Sequence, residues 1–254
     1  MSTVLADDRD GGVRVLTLHR TPANAINEDL LADLSAALAG ARAAERVRAV
    51  VLTGDGLFFG AGFDLGSPPR DAAATARLNA LYRDAHVALL SFPKPTIAMV
   101  NGHAIAGGLV MALACDYRLG LDGDYRIGLN EIAIGASFPK AALEIVRLRL
   151  THARACELLL GAALYPSSHA LRLGVVDELF PSETLEATVL RRAARMGTFP
   201  RDAYAHTKAA LVAEALQRIA AETPAEAARA NAVWMSDESR AARAAQRQKL
   251  GMKE

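Results

Sequence analysis

Cysteine, aromatic side chains and net charge are all scarce in this sequence. Its two cysteines, Cys115 and Cys156, have no paired or metal-type spacing, which excludes a disulfide scaffold and points to a reducing compartment. Aromatic residues make up 5% of the chain, and 29 Lys plus Arg balance 28 Asp plus Glu. Such a chain has no overall field with which to gather nucleic acid or an anionic membrane surface. Long apolar runs are missing too. The uncharged stretch from Pro95 to Cys115 is broken at its centre by the turn-rich NGHAIAGG, so it reads as a strand and a buried helix rather than a membrane span. The first residues, MSTVLADDRDGG, carry acids and neither an apolar core nor an arginine-rich face, so no leader is read there and a cytoplasmic protein is expected.

What is present is ordinary for a globular fold: 52% hydrophobic and 22% charged residues over 254 positions, enough for one large domain or a core with an appendage. Charge is uneven, with 12 Lys/Arg against 7 Asp/Glu in residues 191–254. Val13 to Leu18 is rich in β-branched residues and follows a Gly-Gly turn, so it predicts a strand. From Asn27, a candidate N-cap, Leu30, Leu31, Leu34 and Leu38 recur at helical spacing. Strands are expected over 47–53, 96–100 and 116–119, with helices over 72–90 and 108–114 between them, an alternation that argues for an α/β fold with parallel pairing. After about Phe138 Ala-rich helical patterns dominate (138–149, 151–160, 166–173, 182–196, 200–220 and 223–234), and 174–177 is the one later candidate strand. No internal repeat is visible.

Three glycine-bearing segments follow apolar strands. Residues 53–65, TGDGLFFGAGFDL, have a GxGxxxG spelling, but no helix follows at once: Phe58 and Phe59 stand where a phosphate loop is open, and Pro68-Pro69 prevents an early helix. Residues 100–109, VNGHAIAGGL, place glycines where a strand gives way to a helix, either an anion site at a helix N-terminus or close helix–sheet packing. Residues 125–135 hold Glu131 among apolar neighbours; a buried acid there would have a raised pKa suited to proton transfer, and an exposed, capped one would not. GxSxG, GK[ST], HExxH and CxxC motifs are absent. His152 and Cys156, four apart with Glu157 beside them, make a poor metal pair, so no metal is expected.

Taken in order, these segments resemble the crotonase superfamily, the enoyl-CoA hydratase/isomerase family. HRTPANAIN (19–27) is similar to that family's HRPxxxNAL turn, FFGAGFDL (58–65) to its FxAGxDL loop, NGHAIAGGLVMALACDYRL (101–119) to NGxxxGGGxxxALxCDxRL, IGLNEIAIG (127–135) to FGxPExxxG and LGVVDELFP (173–181) to the closing GLVDxVxP. The resemblance implies a spiral of ββα units, with residues 1–195 as the core that holds an acyl-CoA site. Residues 196–254 would be a helical region engaged in trimerisation, giving a homotrimer or a dimer of trimers. It implies that coenzyme A arrives as part of an acyl-CoA thioester substrate, with no separate cofactor.

By position, the N–H groups of Phe63 and Gly107 would form an oxyanion hole, and fixed donors there would stabilise the enolate charge that develops when an α-proton leaves. Ala23, Ala25, Ala61, Gly62, Asp64, Leu65 and Gly108 would line the CoA path. Lys208, in HTKAAL, resembles a lysine that faces CoA phosphates, though a plain solvated lysine fits as well; Asp116 reads as structural. The family's hydratases carry two glutamates. The first falls on Val110 and is absent; the second aligns with Glu131. A single glutamate in an IGLNE context is similar to 3,2-enoyl-CoA isomerases, and the expected reaction is the 1,3-shift of 3-enoyl-CoA to 2-enoyl-CoA. Hydration of a 2-enoyl-CoA, or a silent CoA-binding scaffold, are the alternatives. Ala106 replaces the first glycine of the family's triplet, and Ala136 to Lys140 is bulkier than the hydratases' glycine-rich turn.

Overall fold

A computed structural model describes residues 2–251. β1 (Val4–Arg9) and β2 (Val13–Leu18) form an antiparallel pair whose tight connection uses Gly11 and Gly12 at φ 71° and 73°, in the left-handed region where glycine has no Cβ to clash. α1 (Glu28–Ala43) follows, its first turn closed by the Asn27 side chain accepting from Leu30 N–H, and it buries Leu30, Leu31, Leu34 and Leu38.

The chain then repeats a pattern. β3 (Ala49–Gly54) joins β2, β4 (Phe58–Gly60) turns away, and α2 (Ala72–Leu90) returns. β5 (Thr96–Val100), β6 (His103–Ile105) and α3 (Gly107–Ala114) make the next turn; β7 (Tyr117–Leu121), β8 (Ile127–Gly128) and α4 (Lys140–Arg149) make the third. The first strand of each turn adds in parallel to a six-stranded sheet of order β1-β2-β3-β5-β7-β10, and the second adds in parallel to a four-stranded sheet of order β4-β6-β8-β9. This is a spiral of ββα units. After α5 (His152–Gly161), β9 (Leu164–Tyr165) closes the small sheet; after α6 (Ser167–Leu173), β10 (Glu178–Phe180) closes the large one.

Alternation along the strands splits the large sheet between two apolar layers. Val13, Val15, Ala49, Val51 and Ile97 face α7 (Ser182–Gly197) and its Leu185, Val189, Ala193 and Met196. Leu16, Leu18, Val50 and Leu52 face the larger core with α1, α2 and α3. α8 (Arg201–Ala220), α9 (Pro224–Met235) and α10 (Asp237–Lys249) complete the chain.

One expectation changes and two elements are added. Residues 174–177 are a turn rather than a strand, because Gly174 at φ 79° caps α6 and the pairing starts at Glu178. β1 pairs along the edge although only Val4 on it is buried. α10 is an additional helix, buried only at Ser239 and Arg243.

Candidate active site

The 20–27 turn and the first glycine segment are tied together by backbone groups and the Asn24 side chain. Asn24, fully buried at φ 50°, accepts from Arg20 N–H at 3.0 Å and donates to the carbonyls of Asp55 and Phe58 at 3.1 and 2.8 Å. Its short amide tolerates the left-handed region and locks the turn. Ala61 N–H then donates to Ala23 O at 3.0 Å, Ile26 N–H to Gly62 O at 2.9 Å and Asp64 N–H to Ile26 O at 2.9 Å. In this parallel bridge between Ile26 and Phe63 the Phe63 N–H points the other way and meets no backbone carbonyl of the described residues. Arg20 clamps the arrangement, donating to Ala25 O at 3.1 Å and to the Asp64 carboxylate at 2.5 Å.

Gly107 opens α3, so its N–H has no partner within the helix. The preceding Ala106 sits at φ 52°, ψ −130°, a conformation glycine adopts freely and alanine adopts under strain. Its N–H is fixed to Gly128 O at 2.9 Å. Here Gly108 cannot be replaced: a Cβ on it would lie 2.2 Å from Gly60 O. A Cβ on Gly62 would lie 2.7 Å from the Ala106 Cβ, so the loops that carry Gly62 and Gly107 pack closely at Ala106.

The Ala106–Gly128 bond also delivers the acid. Three residues beyond Gly128 the chain reaches Glu131, whose carbonyl accepts from Ile134 and Ala136 N–H at 3.1 and 2.9 Å in a tight turn. Its side chain is 9% exposed and Oε2 has no hydrogen-bond partner. Burial pushes its pKa up to about 7, against a smaller opposing pull from its own amide. Val110 is wholly buried, so no second carboxylate stands at that position. Gly135, at φ 71°, closes the turn beneath α10, where a Cβ would lie 2.5 Å from Ser239 Cα. α9 is held to both sides of this region: Asn231 accepts from Asn79 of α2 at 3.0 Å, and Ala230 O accepts from Ser137 at 3.2 Å.

The structure therefore draws together Phe63, Gly107 and Glu131, with Ala23, Ala25, Ala61, Gly62 and Leu65 half-buried in the linked loops beside them. The Asp64 carboxylate is occupied, by Arg20 and by Gly66 N–H at 2.8 Å. Lys208 is a correction. It is 6% exposed, its Nζ lies 2.8 Å from Asp116 and 3.3 Å from Thr96 Oγ1, and it sits beyond the C-terminal end of α3, about 12 Å of helix away from Gly107. A buried lysine committed to a carboxylate only 12% exposed has no free face for a phosphate. Asp116 is structural as expected, accepting also from Thr96 N–H at 2.9 Å and Tyr204 O–H at 2.8 Å. His152 Nε2 and Cys156 Sγ are 3.5 Å apart, and among the described residues no three His, Cys, Asp or Glu side chains gather as a metal site. Sequence reasoning did not single out Tyr82, Ile26 or Arg20. Ile26 and Tyr82 are the side chains nearest Gly107: a Cβ there would lie 2.6 Å from Ile26 Cδ1 and 3.2 Å from Tyr82 Cε2.

A two-sheet ββα spiral defines a class, and the profile described as Enoyl-CoA hydratase/isomerase matches residues 8–250. The chain belongs to the enoyl-CoA hydratase/isomerase family. Among solved structures it is similar to human mitochondrial delta3-delta2-enoyl-CoA isomerase, with a TM-score of 0.92 and 27% identity over 98% of both chains. Among curated proteins it is 32% identical to a probable enoyl-CoA hydratase, EchA17, of Mycolicibacterium paratuberculosis, covering 87% of this chain and 88% of that one. It is 30% identical to human mitochondrial enoyl-CoA delta isomerase 1, covering 86% of this chain and 74% of that one. No helix among the described residues is long and apolar enough to cross a membrane.

Proposed function

We propose that the protein moves the double bond of a 3-enoyl-CoA thioester to position 2, with Glu131 as the single proton carrier. The observation that carries this reading is the buried carboxyl itself: Oε2 unpartnered, pKa about 7, and no second acid at Val110. A base poised near neutral pH accepts and returns a proton with little driving force lost in either direction. The Glu131 carboxylate takes the proton from carbon 2, and the electron pair flows into the thioester carbonyl. The dienolate oxygen is held by the N–H groups of Phe63 and Gly107. As the carbonyl re-forms, the double bond settles between carbons 2 and 3, and carbon 4 takes the proton back from Glu131. One carrier suffices because water is neither added nor removed.

Ala23, Ala25, Ala61, Gly62, Leu65 and Gly108 would line the CoA path, coenzyme A being part of the substrate and no separate cofactor being needed. The chain would work in the cytoplasm as a trimer or a pair of trimers. Exposed Leu211, Val233 and Met235 on α8 and α9 support a subunit contact. Hydration of a 2-enoyl-CoA is the second reading, favoured by the hydratase names of bacterial relatives.

The test follows 3-hexenoyl-CoA by NMR in deuterated water with the wild type and Glu131→Gln. Migration to the 2-enoyl product in the wild type, lost in the variant, is expected. A 3-hydroxyacyl-CoA as main product would transfer the assignment to hydration, and binding without α-proton exchange would leave a CoA-binding scaffold.

A further inference from the structure

α2 presents Tyr82, Ala85, His86 and Leu89 to the interior at helical spacing. Tyr82 is 2% exposed and belongs to the larger core. Its ring lies 5.3 Å from the Phe63 ring, centroid to centroid, and its Oη stands 3.7 Å from where a Cβ on Gly107 would be. It thus touches both residues whose amides face the candidate site.

His86 stacks on it at 3.8 Å between centroids, 27° between planes, with Nδ1 2.7 Å from Tyr82 O and the Gly107 backbone also acting on its ring. A carbonyl only accepts, so Nδ1 carries the hydrogen, and burial holds the imidazole neutral with its pKa down at about 4. The stack fixes the ring, and with it the hydroxyl beside Gly107. Burial and the nearby Glu131 charge push the phenol pKa well up, so it remains a donor at every working pH. That hydroxyl has no hydrogen-bond partner among the described residues, and neither has Glu131 Oε2. The Glu131 charge acts on this phenol with no hydrogen bond joining the two, which leaves both groups available to a third polar atom.

We propose that the Tyr82 hydroxyl is a third hydrogen-bond donor to the thioester oxygen of the substrate, beside the N–H groups of Phe63 and Gly107. This rests on the acyl-CoA reading above. An enolate oxygen accepts far more strongly than a neutral thioester carbonyl, so the third bond acts in the transition state and hardly in the ground state.

Tyr82→Phe keeps the ring, the His86 stack and the contact with Phe63. We expect kcat for the 3-enoyl shift to fall about a hundredfold with KM within twofold of the wild type, the signature of a lost donor to developing charge. Independently of turnover, acetoacetyl-CoA bound to each protein reports the oxyanion donors through the ultraviolet absorbance of its enolate. At one pH the enolate fraction is expected to drop in Tyr82→Phe. Equal kcat and equal enolate fraction in the two proteins would overturn the role of Tyr82 and leave the acyl-CoA reading standing. If the wild type neither binds nor enolises acetoacetyl-CoA, both fall together.

Discussion

The two ends of α3 lie about 12 Å apart and handle polar groups in opposite ways. At the C-terminal end most groups are paired, Arg118 Nε excepted. Arg149 donates to Leu113 O and Cys115 O at 2.8 and 2.9 Å, a cation on the negative end of the helix dipole. Asp116 gathers Lys208, Tyr204 and Thr96, and Arg118 meets Asp177 at 2.5 Å. At the N-terminal end the pairing stops. The N–H groups of Phe63 and Gly107, Glu131 Oε2 and the Tyr82 hydroxyl have no partner among the described residues, and Ala106 stands in a strained conformation. Satisfied polar groups hold a fold; unsatisfied ones are kept where a ligand completes them. The contrast sets Lys208 among the paired groups rather than among the open ones.

Substitutions at the two ends are therefore expected to fail differently. Glu131→Gln should lower turnover about 10³-fold or more, since a general base contributes roughly 10²–10⁴ and no second acid replaces it here. The same variant should gain stability. Below pH 4.5 the carboxyl is protonated in folded and unfolded chains alike; between 4.5 and about 7 only the folded chain keeps the proton, so wild-type stability declines as pH rises through that window. At pH 8 Glu131→Gln should be more stable by up to roughly 3 kcal/mol, read by denaturant unfolding, and the gain should vanish near pH 4.

Lys208→Ala should reverse the pattern. Leaving Asp116 buried without its cation is expected to cost about 3–5 kcal/mol, seen as a lower denaturant midpoint, with KM for the CoA substrate unchanged. A raised KM with intact stability would return Lys208 to the CoA site. Activity itself should rise with pH through about 7, as Glu131 sheds its proton, and lose about tenfold per unit well below that in kcat/KM. The smallest effect expected is that of Ala106→Gly. Relief of the left-handed alanine should stabilise the fold by about 1 kcal/mol and leave turnover intact.

Much of this contrast could be read in the sequence, and the omissions have physical causes. The strands of the large sheet and α1 showed themselves because burial on one or both faces leaves a periodic apolar signal, as in Val13 to Leu18 and Leu30 to Leu38. The repeat of ββα turns did not, because the small sheet is built from pairings only two or three residues long at Phe58–Gly60, His103–Ile105 and Ile127–Gly128. α10 escaped notice because a helix that buries only Ser239 and Arg243 has no apolar stripe. Lys208 did leave a clue: Val212, Ala215 and Ile219 lie at helical spacing beyond it, all buried, so its Cα was on the inner face of α8. Tyr82 left none, since only the folded chain sets α2 against Gly107.

The measurement that bears most directly on Glu131 as a single shielded carrier uses 3-hexenoyl-CoA deuterated at carbon 2, converted in ordinary water and read by NMR and mass spectrometry at short times. The carboxyl of a residue only 9% exposed should return part of the label before it exchanges, so deuterium is expected at carbon 4 of the 2-enoyl product. Product with no deuterium at carbon 4, or a 3-hydroxyacyl-CoA in its place, would contradict the single-carrier shift.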